Sequence, residues 1–212
     1  MKIYILVDNP ESWILEWARR IKQSLSKGDH DISLIHHQNE IEVCDIAFYL
    51  GCTNIVNKQA LNKSKSSIVV HPSNLPKGRG FSPLAWQVLE GEHEITVCLF
   101  EATDGVDEGD IYLKSSFILS GFELNDEIKQ KQGRAILDLC LEYVKEYGHI
   151  KTEAQLGEPT YYDRRSRGSR ELDVHKTISE QFNLLRVVDN ERYPAFFYFK
   201  NKKYILKIYD DK

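Results

Sequence analysis

KIYILVDNPESWILEWARRIKQSLSKGDHDISLIHH, residues 2–37, is the stretch whose reading decides the fold. Residues 2–7 form a short apolar run rich in β-branched side chains that ends at Asp8-Asn9-Pro10, which reads as a buried strand running into a loop. Asn9 is suited to cap a helix and Pro10 to open one. That helix would carry Trp13, Ile14, Trp17, Ala18, Ile21 and Leu25 on one face and stop at Gly28. Residues 31–37 then give a second strand. A strand, an amphipathic helix and another strand in this order predict two parallel strands with the helix packed over them.

The same logic extends along the chain. CDIAFYL (44–50), SSIVV (66–70), ITVCLF (95–100) and IYLKSSFIL (111–119) read as further strands. A short helix is expected around Pro83 to Glu90, and a long amphipathic one over 125–148, with Leu137, Cys140, Leu141 and Val144 on one face. After a polar, arginine-rich stretch from 149 to about 170, a last helix is expected over 173–189, then two aromatic strands joined at Asn201. The expected fold class is α/β: a Rossmann-like, mostly parallel sheet with helices on both faces, plus a C-terminal helix and β-hairpin. The expected division is a core over 1–150 and an extension over 151–212.

Composition narrows the function. The 212 residues are 42% hydrophobic and 28% charged, ordinary for a globular chain, and the apolar runs are too short to span a bilayer. MKIYILVDNP lacks a signal-peptide core, so a cytoplasmic location and no membrane partner are expected. Net charge is −4, with basic and acidic residues interleaved, which disfavours nucleic acid as a partner. Cys44, Cys52, Cys98 and Cys140 have neither zinc nor disulfide-framework spacing and read as buried free thiols. His36 and His37 are adjacent on a strand, point to opposite faces and make no joint metal site.

VVHPSNLPKGRGFSPL (69–84) is where chemistry is expected. His71 closes a strand, and ligands in open α/β sheets gather beyond such strand ends. Two prolines stiffen the loop, and Gly78 and Gly80 permit a sharp turn or close backbone approach. A later acidic loop, DGVDEGD (104–110), lacks the ligand spacing of a calcium loop. It can instead bring a carboxylate to His71, the pairing that moves protons near neutral pH.

HPSNLPKGRGFSPLAWQVLEGE followed by GVDEGDI resembles the folate-dependent formyltransferase core, whose pattern runs Asn-x-His-x-Ser-Leu-Leu-Pro-x-x-Arg-Gly and later Asp-x-Gly-Asp-Ile. The resemblance implies that residues 1–150 are a catalytic core taking a formyl group from 10-formyltetrahydrofolate, with no metal. It implies His71 and Asp107 as the catalytic pair. Val69 stands where the family has a catalytic Asn, so either a backbone donor or a neighbour such as Asn74 takes over, or the activity is weak. GCTNIV (51–56) is similar to the family's pterin-contacting segment, which implies Thr53, Asn54 and Ile55, with Gly105 and Val106, as folate contacts. Residues 164–197 resemble the linker of sugar and tRNA formyltransferases.

For the acceptor amine, the loop 8–12 lacks the glycine-rich phosphate cradle expected for glycinamide ribonucleotide. Methionyl-tRNA enzymes resemble this core plus a C-terminal β-barrel, whereas the sequence after YPAFF has room for one hairpin. The expected acceptor is therefore a nucleotide-linked amino sugar, with a 4-amino-4,6-dideoxy sugar of a pseudaminic-acid-type route as the more specific form. Arg79, Tyr161, Tyr162, Arg164 and Arg165 are the candidate acceptor contacts, as phosphate forks and stacking platforms. A methionyl-tRNA formyltransferase-like enzyme and a catalytically decayed folate-binding or interaction module are the alternatives. The aromatic hairpin is expected either to form a homodimer edge or to pack on its own core.

Overall fold

The computed structural model describes residues 1–211. Six strands form the main sheet: β1 (Lys2–Leu6), β2 (Asp31–Ile35), β3 (Cys44–Tyr49), β4 (Ser64–His71), β6 (Glu94–Glu101) and β7 (Ile111–Ile118). Their spatial order is β2-β1-β3-β4-β6-β7. β1 to β4 pair in parallel, and β6 runs antiparallel to both its neighbours. This is the mostly parallel α/β sheet expected.

Alternation along the strands divides the core into two layers. Ile3, Ile5, Ile46, Phe48 and Ile68 point to the face covered by α1 (Ile14–Leu25) and α4 (Asn125–Lys145). Tyr4, Leu6, Ala47 and Tyr49 point to the other face, where α2 (Lys58–Leu61) supplies Ala60. Gly133 of α4 sits against Trp17 of α1, and a Cβ there would lie 2.1 Å from the indole. That close approach fixes how α4 is rotated. α3 (Pro83–Leu89) follows the proline-rich loop.

α1 begins later than the sequence suggests. The Asn9 side chain accepts the Glu11 N–H at 3.0 Å and its carbonyl accepts from Ser12, so residues 9–12 close a turn before helical geometry starts at Ile14. The expected 173–189 helix also shrinks, to a 3-10 turn over Ser179–Gln181 and α5 (Phe182–Arg186). Polar side chains take its backbone groups instead: Asp173 accepts from His175 N–H, and Gln181 both accepts from Asp173 N–H and donates to carbonyls of Asp173, Lys176 and Thr177.

A two-stranded pair unmarked in the sequence joins the extension to the core: β5 (Arg79–Gly80) lies parallel to β8 (Tyr161–Tyr162). Gly80 has φ +97, and a Cβ on it would meet the Tyr162 carbonyl at 2.5 Å. The glycine in this turn is there so that β8 can approach. β9 (Ala195–Phe199) and β10 (Lys202–Leu206) form the expected hairpin, with Lys200 and Asn201 both at positive φ in its turn. Its base, Ala195, Phe197 and Leu206, packs on the chain's own Leu172, Leu185 and Val188, while Tyr198, Phe199 and Ile205 stay exposed. Cys44, Cys98 and Cys140 are buried free thiols, and Cys52 is half-buried. No helix among the described residues is long and apolar enough to cross a membrane.

Candidate active site

The chain leaves β1 to form β2 on one side and returns to form β3 on the other. A crevice opens beyond the C-terminal ends of such strands. The loops that rim it follow β1, β3 and β4, and all three carry residues marked in the sequence.

His71, the last residue of β4, is buried. Its Nε2 lies 2.8 Å from the Gly78 carbonyl, which can only accept, so Nε2 carries a hydrogen. Nδ1 faces Asp107 Oδ2 at 3.6 Å. The carboxylate is held by the Gly80 N–H, which donates to Oδ2 at 2.8 Å. Asp107 has φ +54, unusual for a residue with a side chain, and the loop around it is clamped from outside. Gln155 does the clamping: its Nε2 donates to the carbonyls of Asp107 and Gly109, each at 2.8 Å, and its Oε1 accepts from Arg79.

The other marked residues divide. Asp8 Oδ2 accepts from the backbone and side chains of both Thr53 and Asn54, at 2.8–3.0 Å, pinning the post-β3 loop to the post-β1 loop. Lys58, which opens α2 directly after that loop, and Asp104, 2.7 Å apart, tie it to the 102–110 loop, and Ile55 and Val106 are left exposed on the two loops. Gly105 lies in the same loop, against Glu108. Asn74 does not join His71; it is exposed, and its Oδ1 lies 3.5 Å from Lys114 Nζ beside a separate cavity. The turn at Ser73 carries it away.

Arg79 is buried and committed to Glu108, Tyr161 and Gln155. Tyr162 stacks on Trp86, ring centroids 6.1 Å apart, and donates to Glu90. These side chains brace β5 against β8. Arg164 reaches the rim, donating to the Thr53 carbonyl at 2.9 Å with its guanidinium over Phe81. Arg165 donates to the carbonyls of Val187 and Ser169, and burial lowers its pKa.

A cavity of about 380 Å³ opens beside His71, walled by Trp13, Ile14, Leu50, Val70, Phe81 and Ile136 among others. It continues into an outer vestibule that shares Trp13, Phe81 and Lys129 and adds Arg164, Arg165, Arg167, Arg170 and Arg192. Cys52 lines the inner cavity, but burial pushes its thiol up to about 12, so it is no nucleophile at neutral pH. Gln155, Asp8 and Arg192 had no distinguishing local pattern; an isolated glycine inside the 125–148 helix was the one signal of close packing.

Residues 18–133 match the formyl transferase family. The chain belongs to that family. The methionyl-tRNA formyltransferase of Coprothermobacter proteolyticus is 28% identical over 149 residues, which cover 69% of this chain and 47% of the relative. The chain thus spans about half the length of the curated relatives it matches. Among solved structures, a methionyl-tRNA formyltransferase from Clostridium thermocellum superposes with TM-score 0.84 at 21% identity, covering 100% of this chain and 94% of that one. A 4-N formyltransferase from Francisella tularensis gives 0.75 at 18% identity, covering 100% and 98%. At these identities the structural likeness speaks to fold.

Proposed function

We propose that the chain transfers a formyl group from 10-formyltetrahydrofolate to the amine of a nucleotide-linked amino sugar, with His71 and Asp107 handling the proton. The observation that carries this reading is the pairing of His71 Nδ1 with Asp107 Oδ2 at the edge of a largely apolar cavity that leads to an arginine-lined vestibule. A 6-deoxy sugar suits the inner walls, and its diphosphate suits the vestibule, where guanidinium groups can fork onto phosphate oxygens. The two loops tied by Lys58 and Asp104, with Ile55 and Val106 exposed, fit the flat pteridine.

The amine nitrogen attacks the formyl carbon, the carbonyl becomes an oxyanion, and the bond to the folate nitrogen then breaks. Nδ1 takes the proton the amine sheds, and Asp107 faces the imidazolium so formed. The same proton goes on to the departing folate nitrogen. Val69 offers the oxyanion no side-chain donor and Asn74 is turned away, so the imidazolium carries that stabilisation.

The test is mass spectrometry of purified protein with 10-formyltetrahydrofolate and a panel of UDP-, GDP- and dTDP-linked amino sugars, with methionyl-tRNA alongside. One formyl unit gained by a sugar nucleotide supports the reading. Formylation of methionyl-tRNA alone would transfer the assignment to the activity of the sequence relatives. Stabilisation by folate without product on any amine would favour a decayed binding module. Either His71→Asn or Asp107→Asn is expected to lower turnover by about 10²–10⁴; variants as fast as wild type overturn the mechanism.

A further inference from the structure

Two of the polar side chains lining the inner cavity are buried, among the described residues: His71 and Gln132. His71 is committed to Gly78 and Asp107. Gln132 is different. It is only 8% exposed, and its amide has no hydrogen-bond partner among the described residues. The amide is not among the fully enclosed unpaired polar atoms, so it opens onto the cavity, where a ligand atom can meet it.

The helix makes this orientation obligatory. Asn125, Ile128, Lys129, Gln132 and Ile136 recur at three- and four-residue spacing along α4 and all line the cavity. Gly133, one residue on, is pressed against Trp17, so α4 cannot rotate to take Gln132 elsewhere. Lys129, nearer the mouth, is paired with Asp189 at 3.3 Å, which leaves Gln132 as the uncommitted buried group.

We infer that Gln132 is the specificity-determining residue for the acceptor, hydrogen-bonding a neutral hydroxyl of the sugar ring inside the cavity that His71 lines. This rests on reading that cavity as the acceptor site. A carboxamide both donates and accepts, as a hydroxyl does, and carries no charge to offset a phosphate. Anionic groups therefore stay in the arginine-lined vestibule, and the inner cavity reads the ring.

The experiment uses the full chain, 10-formyltetrahydrofolate, and two acceptors: a dTDP-linked 4-amino-4,6-dideoxyhexose and its 3-deoxy counterpart. Wild type is expected to favour the hydroxylated acceptor in kcat/KM by about 10-fold. Gln132→Met, close in volume, closes that gap and leaves the KM for 10-formyltetrahydrofolate unchanged. The ligand-free Met variant is expected to melt at about the wild-type temperature, because the amide makes no hydrogen bond to the described residues. A Met variant that melts lower makes Gln132 a structural residue and overturns the inference. So does an active wild type with no preference, or a preference the substitution leaves intact. A wild type inert toward both acceptors and toward the wider sugar-nucleotide panel overturns the functional reading, and this assignment with it.

Discussion

Asp107 illustrates how one residue depends on a segment far away in sequence. It adopts positive φ with its carboxylate beside His71, and the Gln155 amide, 48 residues on, bonds the carbonyls of Asp107 and Gly109. Under the proposed mechanism Gln155 positions Asp107 without touching the reacting atoms. Gln155→Ala is expected to lower kcat about 10-fold through lost orientation, with KM for the acceptor little changed, since the amide touches the loop and not the cavity. Steady-state kinetics on both substrates check this; an effect confined to KM contradicts it. At the same scale, Asp8 holds Thr53 and Asn54 through one carboxylate oxygen. Asp8→Ala is expected to raise the KM for 10-formyltetrahydrofolate several-fold, on the order of 1 kcal/mol of lost loop order, and a measured folate KM equal to wild type would contradict it.

At the scale of elements, the seam between α1 and α4 is the tightest packing that bears on the site. A Cβ at Gly133 would overlap the Trp17 indole, which is itself buried. Gly133→Ala therefore costs about 1–3 kcal/mol by overpacking, against the usual gain in helix propensity from glycine to alanine. Chemical denaturation should show it as a lower midpoint at unchanged slope. The parallel pair β5–β8 plays a comparable part for the loop that follows His71. Arg79, Tyr161, Tyr162 and Trp86 bond or stack with one another or their immediate neighbours.

At the scale of the whole molecule, a buried ion pair fastens the extension to the core. Arg186 Nη2 donates to Glu123 Oε2 at 3.0 Å and Arg186 Nε to the Glu123 carbonyl at 2.9 Å. Burial raises the Glu123 pKa, but hydrogen bonds from Lys131 and the Ser120 backbone outweigh it and hold the carboxyl at about 2. A carboxylate with a folded pKa below its unfolded one contributes stability above the unfolded value, and loses it as pH falls through about 2. Unfolding free energy should thus decline between roughly pH 5 and pH 2, and Glu123→Gln should flatten that decline in an acid titration of stability. Arg186→Met, which leaves the carboxylate with Lys131 and the Ser120 and Gly121 N–H groups, is expected to cost about 3 kcal/mol.

By itself the sequence determined the layered α/β architecture, because strand alternation, helical spacing and turn residues are local patterns, and residues 2–37 already contain a complete β-α-β unit. It also marked His71 and Asp107, since each sits in a motif of punctuating prolines, glycines and acids that a short window displays. Only the tertiary structure decided what surrounds them. Arg79 and Tyr162, attractive as ligand contacts on chemistry, are committed to bracing β5 and β8, and Asn74, two residues past Pro72, is turned away from the imidazole. Local pattern likewise overstated the helix over 173–189, where the Asp173 and Gln181 side chains bond backbone groups between 173 and 181 in place of helical partners. Gln155 and Gln132 carry no sequence signature at all. Their parts follow from which cavity or carbonyl an ordinary amide happens to face, and that is set by contacts between segments tens of residues apart.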